Sequence, residues 1–154
     1  MDDRGRKNFM NQTLSGEQRD VAARVNLWLV DDNEDFRQGF GELLKRRFGF
    51  EQIRHFESGE SVVEALRHGP GPDALLLDLK LPGMNGVEAV SAIKAKSPRT
   101  RVLMFATYFD VACVRQALAG GASAYLTKHH PYEEVVAAVC AKPVAEGEFR
   151  LPEF

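Results

Sequence analysis

DALLLDLKLPGMNG, residues 73–86, is a short apolar run that ends in an acid and is followed by a turn. Leu75–Leu77 have the length and composition of one buried strand, and Asp78 comes directly after them. Pro82–Gly86 combines proline, asparagine and two glycines, which are residues that favour tight turns. This stretch therefore predicts a strand that delivers a carboxylate to its C-terminal end, and then a turn into a helix.

Two other apolar runs end in a similar way. The first ends at Val30-Asp31-Asp32, and the last ends at Tyr125-Leu126-Thr127-Lys128. In an open parallel α/β sheet, ligands bind in the crevice outside the C-terminal ends of the strands. Three acids that meet there are costly unless a cation or a basic side chain lies among them. The pattern predicts a divalent metal and a lysine-bound anion at one site around Asp78.

Short apolar runs alternate with amphipathic stretches along most of the chain. The predicted strands are Val25–Val30, Gln52–Phe56, Asp73–Leu77, Arg101–Ala106 and Ala124–Leu126. The predicted helices are Glu34–Arg47, Ser61–Arg67, Val87–Lys96, Val111–Ala119 and a fifth from Pro131 to Cys140. Such alternation indicates a parallel sheet covered on both faces. We expect an α/β, flavodoxin-like, doubly wound fold with five helices and a five-stranded sheet in the order 2-1-3-4-5, which makes the first and third strands neighbours.

The composition is that of an ordinary globular domain. The chain has 154 residues, of which 44% are hydrophobic and 27% charged, and its net charge of -2 gives no electrostatic reason to expect nucleic-acid binding. No apolar stretch reaches the roughly 20 residues that span a bilayer, and the polar start is unlike a signal peptide. We expect a cytoplasmic protein without membrane contact, in which Cys113 and Cys140 are reduced thiols.

We expect three regions along the chain. Residues 1–24 form an N-terminal extension that is disordered or contains a short helix, because Ser15 and Gln18 have capping-box spacing before a helix through Arg24. Residues 25–141 form the α/β domain. Residues 142–154 form a C-terminal tail or a truncated linker.

Three segments together resemble the receiver domain of bacterial two-component response regulators. They are Leu29–Asn33, Leu75–Gly86 and Gly121–Lys128, in that order along the chain. The resemblance extends over about Val25 to Cys140. It is strongest to receivers that precede helix-turn-helix DNA-binding domains, as Arg101–Met104 and Pro131–Glu134 indicate. It implies a phosphorylated signalling switch, with transcription regulation as one output.

The resemblance implies a role for each residue of the predicted site. Asp78 would accept a phosphoryl group from a sensor histidine kinase or a phosphotransfer protein. Mg²⁺ would be held by Asp31, Asp32, Asp78 and the backbone carbonyl of Lys80. Lys128 would pair with Asp78 at rest and with a phosphoryl oxygen afterwards. The expected chemistry is only Mg²⁺-dependent self-phosphorylation and self-dephosphorylation, and we do not otherwise expect an enzyme. A phosphatase of the aspartyl-phosphate type would need an aspartate as its general acid at the position of Lys80.

The predicted strand ending at Ala106 departs from the resemblance. Receivers carry Thr or Ser there, whose hydroxyl bonds the phosphoryl group, and here Ala106 is followed by Thr107. Side-chain alternation points Thr107 away from the site, and Tyr108 supports Ala106 as the counterpart, whereas a bulge would bring Thr107 into the site. We expect Asp78 to be phosphorylated still, with a muted response at Tyr125. That residue is the aromatic switch position by resemblance, or half-buried packing in the alternative interpretation.

The last part of the chain carries two further expectations. His129 and His130 follow the lysine, where the first of them replaces the usual proline, and we interpret both as solvated loop residues. The output surface, used by a homodimer or a docking partner, would consist of Val111–Ala119, Ala124–Leu126 and Glu133–Cys140. A pseudo-receiver that signals without phosphate is the alternative function, and Ala106 favours it.

Overall fold

The computed structural model describes residues 15–141, which form five strands and six helices. The strands are β1 Asn26–Val30, β2 Gln52–Phe56, β3 Ala74–Leu77, β4 Arg101–Ala106 and β5 Ala124–Thr127. The helices are α1 Gly16–Arg24, α2 Glu34–Phe48, α3 Gly59–His68, α4 Gly86–Lys96, α5 Val111–Gly120 and α6 Tyr132–Cys140. None of these described helices has the length and apolar character needed to cross a membrane. Residues 1–14 and the predicted tail at 142–154 lie outside the described residues.

The five strands lie parallel in one sheet, in the order β2-β1-β3-β4-β5. Partner residues near the C-terminal edge are Val30 and Leu77, Leu77 and Met104, and Ala106 and Thr127. The strand order confirms the predicted doubly wound fold. It also puts the acids that follow β1 and β3 on adjacent strands, at the edge where the strands end.

Each face of the sheet has its own hydrophobic core, because side chains alternate between the two faces along a strand. Helices α1, α2 and α6 cover the face that carries Leu29, Leu76 and Phe105. Helices α3, α4 and α5 cover the face that carries Leu77 and Tyr125. Strands β3 and β4 are almost entirely buried between these layers, and this explains why they are continuous apolar runs in the sequence.

Polar side chains cap five of the six described helices, and α6, which begins after Pro131, has no side-chain capping bond. Ser15 and Gln18 form the predicted capping box of α1. Helix α3 begins at Gly59 rather than at the predicted Ser61, because Ser58 caps it by accepting the Ser61 N–H at 3.1 Å. With α1 included, the described residues contain one helix more than the five predicted for the α/β domain.

Candidate functional site

The end of β1 carries two acids in a turn that hydrogen bonds hold in place. The Asp31 N–H donates to the Phe56 carbonyl at 3.1 Å, so the pairing with β2 continues into the acid. The Asp31 carboxylate accepts the Asn33 N–H at 2.9 Å, and Asn33 caps α2 by accepting the Phe36 N–H at 3.0 Å. Asp31 is buried, whereas Asp32 is exposed. One turn thus places both acids and starts the following helix.

A buried arginine bonds the same turn. Arg37 lies on the inward side of α2 with Phe40 and Leu44, and only 4% of it is exposed. Its Nη1 donates to the backbone carbonyl of Asp31. The sequence motifs do not identify Arg37. The signal that could identify it is a charge on the apolar stripe of α2, at helical spacing from Phe40 and Leu44.

Asp78 follows β3 and is largely buried, with 10% of its side chain exposed. Its N–H donates to the Val30 carbonyl at 2.9 Å, which fixes the backbone beside β1. Burial raises the pKa of the Asp78 carboxyl above its ordinary value, and the neighbouring Asp31 carboxylate adds to the rise. The Lys128 ammonium and the Lys80 backbone N–H oppose that rise. The surroundings of Asp78 therefore favour its protonated form, and an added positive charge would favour the ionised form.

Three carboxylates meet at this edge of the sheet. One oxygen from each of Asp31, Asp32 and Asp78 lies within 4.8 Å of the other two. Carboxylate oxygens at such separations suit a hard divalent cation, and Mg²⁺ typically takes one or two carboxylates together with waters. The raised pKa of Asp78 fits the same cation, because a positive charge would favour the ionised acid. The convergence that the sequence predicts is thus present in the structure.

Lys128 lies among the acids. Its Nζ is 2.7 Å from Asp31 Oδ2 and 3.7 Å from Asp78 Oδ2. The shorter contact is thus to Asp31, whereas the resemblance implied Asp78 as the resting partner. One ammonium reaches both carboxylates because Asp31 and Asp78 follow adjacent strands.

The turn after Asp78 packs tightly against the acid. Gly83 has a φ of 70°, which favours glycine, and Glu60 accepts the Met84 N–H beside it. A Cβ at Gly86 would lie 2.4 Å from the Asp78 backbone carbonyl oxygen. Only glycine fits there without moving the backbone that carries the acid.

Ala106 ends β4, and its side chain packs in the same core as Met104 and Tyr125. The pairing of β4 with β5 runs without interruption to Ala106 and Thr127, so this described pairing contains no bulge. Ala106 is buried, whereas Thr107 is exposed. The structure follows the side-chain alternation, and the alternative that brings Thr107 into the site does not occur.

Tyr125 points inward from β5 and is 0% exposed. Its hydroxyl donates to the Tyr108 carbonyl at 2.8 Å, and its ring meets Phe109 edge-on at a centroid distance of 5.7 Å. Burial raises the pKa of Tyr125 to about 12, so the hydroxyl remains a neutral donor. Tyr125 is therefore more deeply buried than the half-buried packing interpretation expected, and it ties the loop between β4 and α5 to β5.

The two adjacent histidines have different environments. His129 is exposed, with its ring 6.5 Å from the Tyr108 ring. His130 is buried, and its Nδ1 lies 2.7 Å from Thr127 Oγ1. The interpretation of both as solvated loop residues is therefore wrong for His130. The reason is a tight turn, in which the His130 N–H donates to the Thr127 carbonyl at 3.1 Å and folds the ring back onto the end of β5.

Comparison of the sequence with known proteins identifies a family that matches most of this chain. The family model described as "Response regulator receiver domain" matches residues 27–140. The transcriptional regulatory protein DegU of Brevibacillus brevis is 33% identical over 124 residues, which cover 80% of this chain and 51% of DegU. The nitrate/nitrite response regulator protein NarL of Escherichia coli K12 is 33% identical over 129 residues, which cover 84% of this chain and 58% of NarL. This chain therefore spans a little over half the length of these curated relatives.

Solved structures show the same likeness. The signal receiver domain of NarL from Mycobacterium tuberculosis is 31% identical, with a TM-score of 0.67, over 75% of this chain and 92% of that one. A two-component response regulator of the LuxR family from Aurantimonas sp. SI85-9A1 is also 31% identical, with a TM-score of 0.68, over 75% of this chain and 81% of that one. With its acids and lysine gathered at the C-terminal edge of a five-stranded parallel sheet, the chain belongs to the response regulator receiver domain family, and its relatives include regulators of the NarL and LuxR type.

Proposed function

We propose that this chain is a phosphorylation-controlled switch, with Asp78 as the phosphoryl acceptor and a sensor histidine kinase or a phosphotransfer protein as the donor. The convergence of three carboxylates and Lys128 carries the proposal. Asp78 is the member of that cluster that follows the central strand β3, with carboxylates from β1 beside it. Lys128 reaches the same carboxylate from β5, so one site contains a nucleophile and an anion-binding ammonium.

Mg²⁺ is the cofactor that fits these residues. Asp31, Asp32 and Asp78 would hold it together with the backbone carbonyl of Lys80. When bound, the ion supplies positive charge to the carboxylates and to incoming phosphoryl oxygens. A response regulator from Burkholderia pseudomallei, 26% identical, was solved with a phosphorylated aspartic acid and a calcium ion, which supports both parts of the proposal.

The proposed transfer is a single displacement at phosphorus. An ionised oxygen of Asp78 attacks the phosphorus of the donor phosphohistidine and forms an acyl phosphate. The bond from phosphorus to the imidazole nitrogen breaks, and its electron pair stays on the nitrogen. Lys128 lies 3.7 Å from Asp78 Oδ2 and would donate to a phosphoryl oxygen. In self-dephosphorylation, water attacks phosphorus, the oxygen–phosphorus bond breaks, and the Asp78 carboxylate and inorganic phosphate are released.

The switch would act on other molecules through an exposed apolar surface. The loop before α5 and the helix itself expose large apolar side chains, namely Tyr108, Phe109, Val111 and Leu118. Tyr125 joins this loop to β5 through its bond to the Tyr108 carbonyl. A homodimer or a docking partner would use this side of the molecule together with the exposed side of α6, whereas Ala124–Leu126 of the predicted output surface are buried. We propose that the protein acts in the cytoplasm and regulates transcription, the second of which is the role named for the relative DegU.

Intact-mass spectrometry after incubation with acetyl phosphate and Mg²⁺ tests the proposal. The expected result is a mass increase of one phosphoryl group in the wild type, and none without Mg²⁺ or in Asp78→Asn. Gln38→Glu, an exposed substitution on α2, is the matched control and should be labelled like the wild type. Failure of the wild type to gain the adduct, or full labelling of Asp78→Asn, would overturn the assignment.

One observation favours a second candidate, a pseudo-receiver that signals without phosphate. Ala106 offers no hydroxyl at the end of β4, where receivers usually carry Thr or Ser. Fluorine NMR with beryllofluoride and Mg²⁺ separates the two functions. A bound beryllofluoride signal that is lost in Asp78→Asn supports the phosphoacceptor. No bound signal in the wild type supports the pseudo-receiver. A solved receiver with 26% identity, DrrB, is described as activated by this phosphate analogue.

A further inference from the structure

Lys128 has a third contact, with an aromatic ring. Its Nζ lies over the Phe36 ring, 4.4 Å from the ring centroid. Only 17% of the Lys128 side chain is exposed. A cation above a ring face is attracted by the ring quadrupole, and the attraction grows where water is partly excluded. The contact therefore lies where little water competes with the attraction between the ammonium and the ring.

We propose that Phe36 is a positioning residue for Lys128, which keeps the ammonium within reach of both Asp31 and Asp78. The kinetic part of this inference rests on the proposed phosphoacceptor function. The contact itself does not. The proposed effect of Phe36 on the reaction passes through Lys128 and not through a contact with the phosphoryl group.

The Phe36 ring is held in one orientation by its neighbours. It stacks on Phe40 at a centroid distance of 5.7 Å with 7° between the planes, and it meets Phe105 at 6.1 Å. Its backbone N–H donates to the Asn33 side chain that caps α2. Asn33 in turn donates to the Asp31 carboxylate. The ring that faces Lys128 is therefore fixed by the same turn that places the first acid.

A ring face suits a lysine that has to change partners. The ammonium has three N–H donors, and the attraction of a ring sets no hydrogen-bond direction. Lys128 can thus turn from Asp31 toward a phosphoryl group on Asp78 and remain above the ring. Lys94 shows the contrast, because its Nζ is fixed by two backbone carbonyls, those of Pro98 at 2.7 Å and Thr100 at 3.0 Å.

The rate of phosphorylation by acetyl phosphate at saturating Mg²⁺ tests the inference. Phe36→Leu keeps an apolar side chain but removes the ring, and we expect it to lower the saturated rate constant by about three- to tenfold. Phe36→Tyr keeps a ring face and should recover the wild-type rate to within about twofold. The half-saturating concentration of acetyl phosphate should change little, because Phe36 does not contact the phosphodonor.

Phe48→Leu is the matched control. Phe48 lies at the other end of α2 and has a cation–π contact of its own, with the Arg47 guanidinium 5.1 Å from its ring. Its loss should lower stability without lowering the rate constant of the folded protein. An equal slowing in Phe48→Leu and Phe36→Leu, or no recovery in Phe36→Tyr, would contradict the inference. Pentafluorophenylalanine at position 36 keeps the ring shape but inverts the charge of its face, and it should slow the reaction like Phe36→Leu.

Side-chain NMR of Lys128 separates this inference from the proposed function. Lys128 Cε protons above a ring should resonate upfield in the wild type and Phe36→Tyr, and return toward the ordinary lysine shift in Phe36→Leu. Lys128→Arg removes the resonance and so assigns it. A wild type that does not accept phosphate but shows this ring shift would overturn the function and leave the contact standing. An unshifted Lys128 resonance in the wild type would overturn the inference alone.

Discussion

The two halves of the site differ in how their polar groups are held. At the ends of β1 and β3, backbone and side-chain bonds fix the acids, and Arg37 bonds the backbone of Asp31. On the other side of the site, β4 ends at the apolar Ala106, and Tyr125 is buried within β5. The first half, which we call the acid half, contains the carboxylates of Asp31, Asp32 and Asp78. We call the second half, with Ala106 and Tyr125, the switch half; Lys128 follows β5 but reaches across to the carboxylates of the acid half. The second half, which would pass a change to the surface, has a hydroxyl fewer than receivers usually have. We therefore predict that accepting phosphate and responding to it are separable in this chain.

The largest expected effect concerns the acid half. Arg37→Met should lower the free energy of unfolding by up to about 3 kcal/mol, because the Asp31 carbonyl loses a buried charged donor. Urea unfolding at neutral pH measures the change.

Arg46→Met on the same helix is the control for this substitution. Arg46 is exposed and pairs with Glu42 at 3.4 Å across one turn, so its loss should cost no more than about 0.5 kcal/mol. Equal urea midpoints for Arg37→Met and Arg46→Met would show that the acid half is no better held than the surface of the helix.

Arg37 also marks the limit of what the sequence can predict. The parallel sheet rule brings Asp31 and Asp78 together, because it depends only on strand order and on where each strand ends. A charge inside an apolar helix stripe looks like a break in the pattern, and its partner is a backbone carbonyl that no motif identifies. His130 escapes prediction for a related reason, since a tight turn folds its ring back onto the end of β5 and no residue pattern in the sequence signals that turn. Local turns and buried polar contacts depend on geometry that strand periodicity does not contain.

The second expected effect concerns the switch half. Ala106→Thr would supply a hydroxyl beside the phosphoryl group, and a hydrogen bond to such a charged group contributes about 2 kcal/mol. That is comparable with the free energy between the two states of a typical switch. We expect beryllofluoride or phosphate to produce larger NMR shift changes at Tyr125 and along α5 in this variant than in the wild type.

Ala106→Val is the control, because valine has nearly the shape of threonine without the hydroxyl. It should leave the response as small as in the wild type. If the wild type already moves Tyr125 and α5 as fully as Ala106→Thr does, then the missing hydroxyl does not mute the switch. The two halves would then differ in their residues, but the missing hydroxyl at Ala106 would not change the response to phosphate.

The smallest expected effect returns to the acid half and depends on pH. Burial and the neighbouring carboxylates hold the pKa of Asp78 above its ordinary value of 3.8. The folded state therefore favours the protonated acid, and stability is lost as the pH rises through the raised pKa. In Mg²⁺-free buffer at pH 7 the folded wild type is destabilised by the buried charge of Asp78, whereas Asp78→Asn has no charge at this position. We expect Asp78→Asn to be more stable there by about 1 kcal/mol.

Measurements at low pH and with Mg²⁺ test whether the higher stability of Asp78→Asn has an electrostatic cause. The stability difference should shrink as the pH falls through the raised pKa and vanish below 3.8, where Asp78 becomes protonated in both the folded and the unfolded state. Mg²⁺ at pH 7 should stabilise the wild type more than Asp78→Asn, because the cation binds the folded acids and not the unfolded chain. Glu51→Gln, at an exposed carboxylate between α2 and β2, should change the free energy of unfolding by less than about 0.5 kcal/mol at either pH. If the higher stability of Asp78→Asn persisted unchanged at low pH, it would have to come from packing. The charge of Asp78 would then not destabilise the folded state.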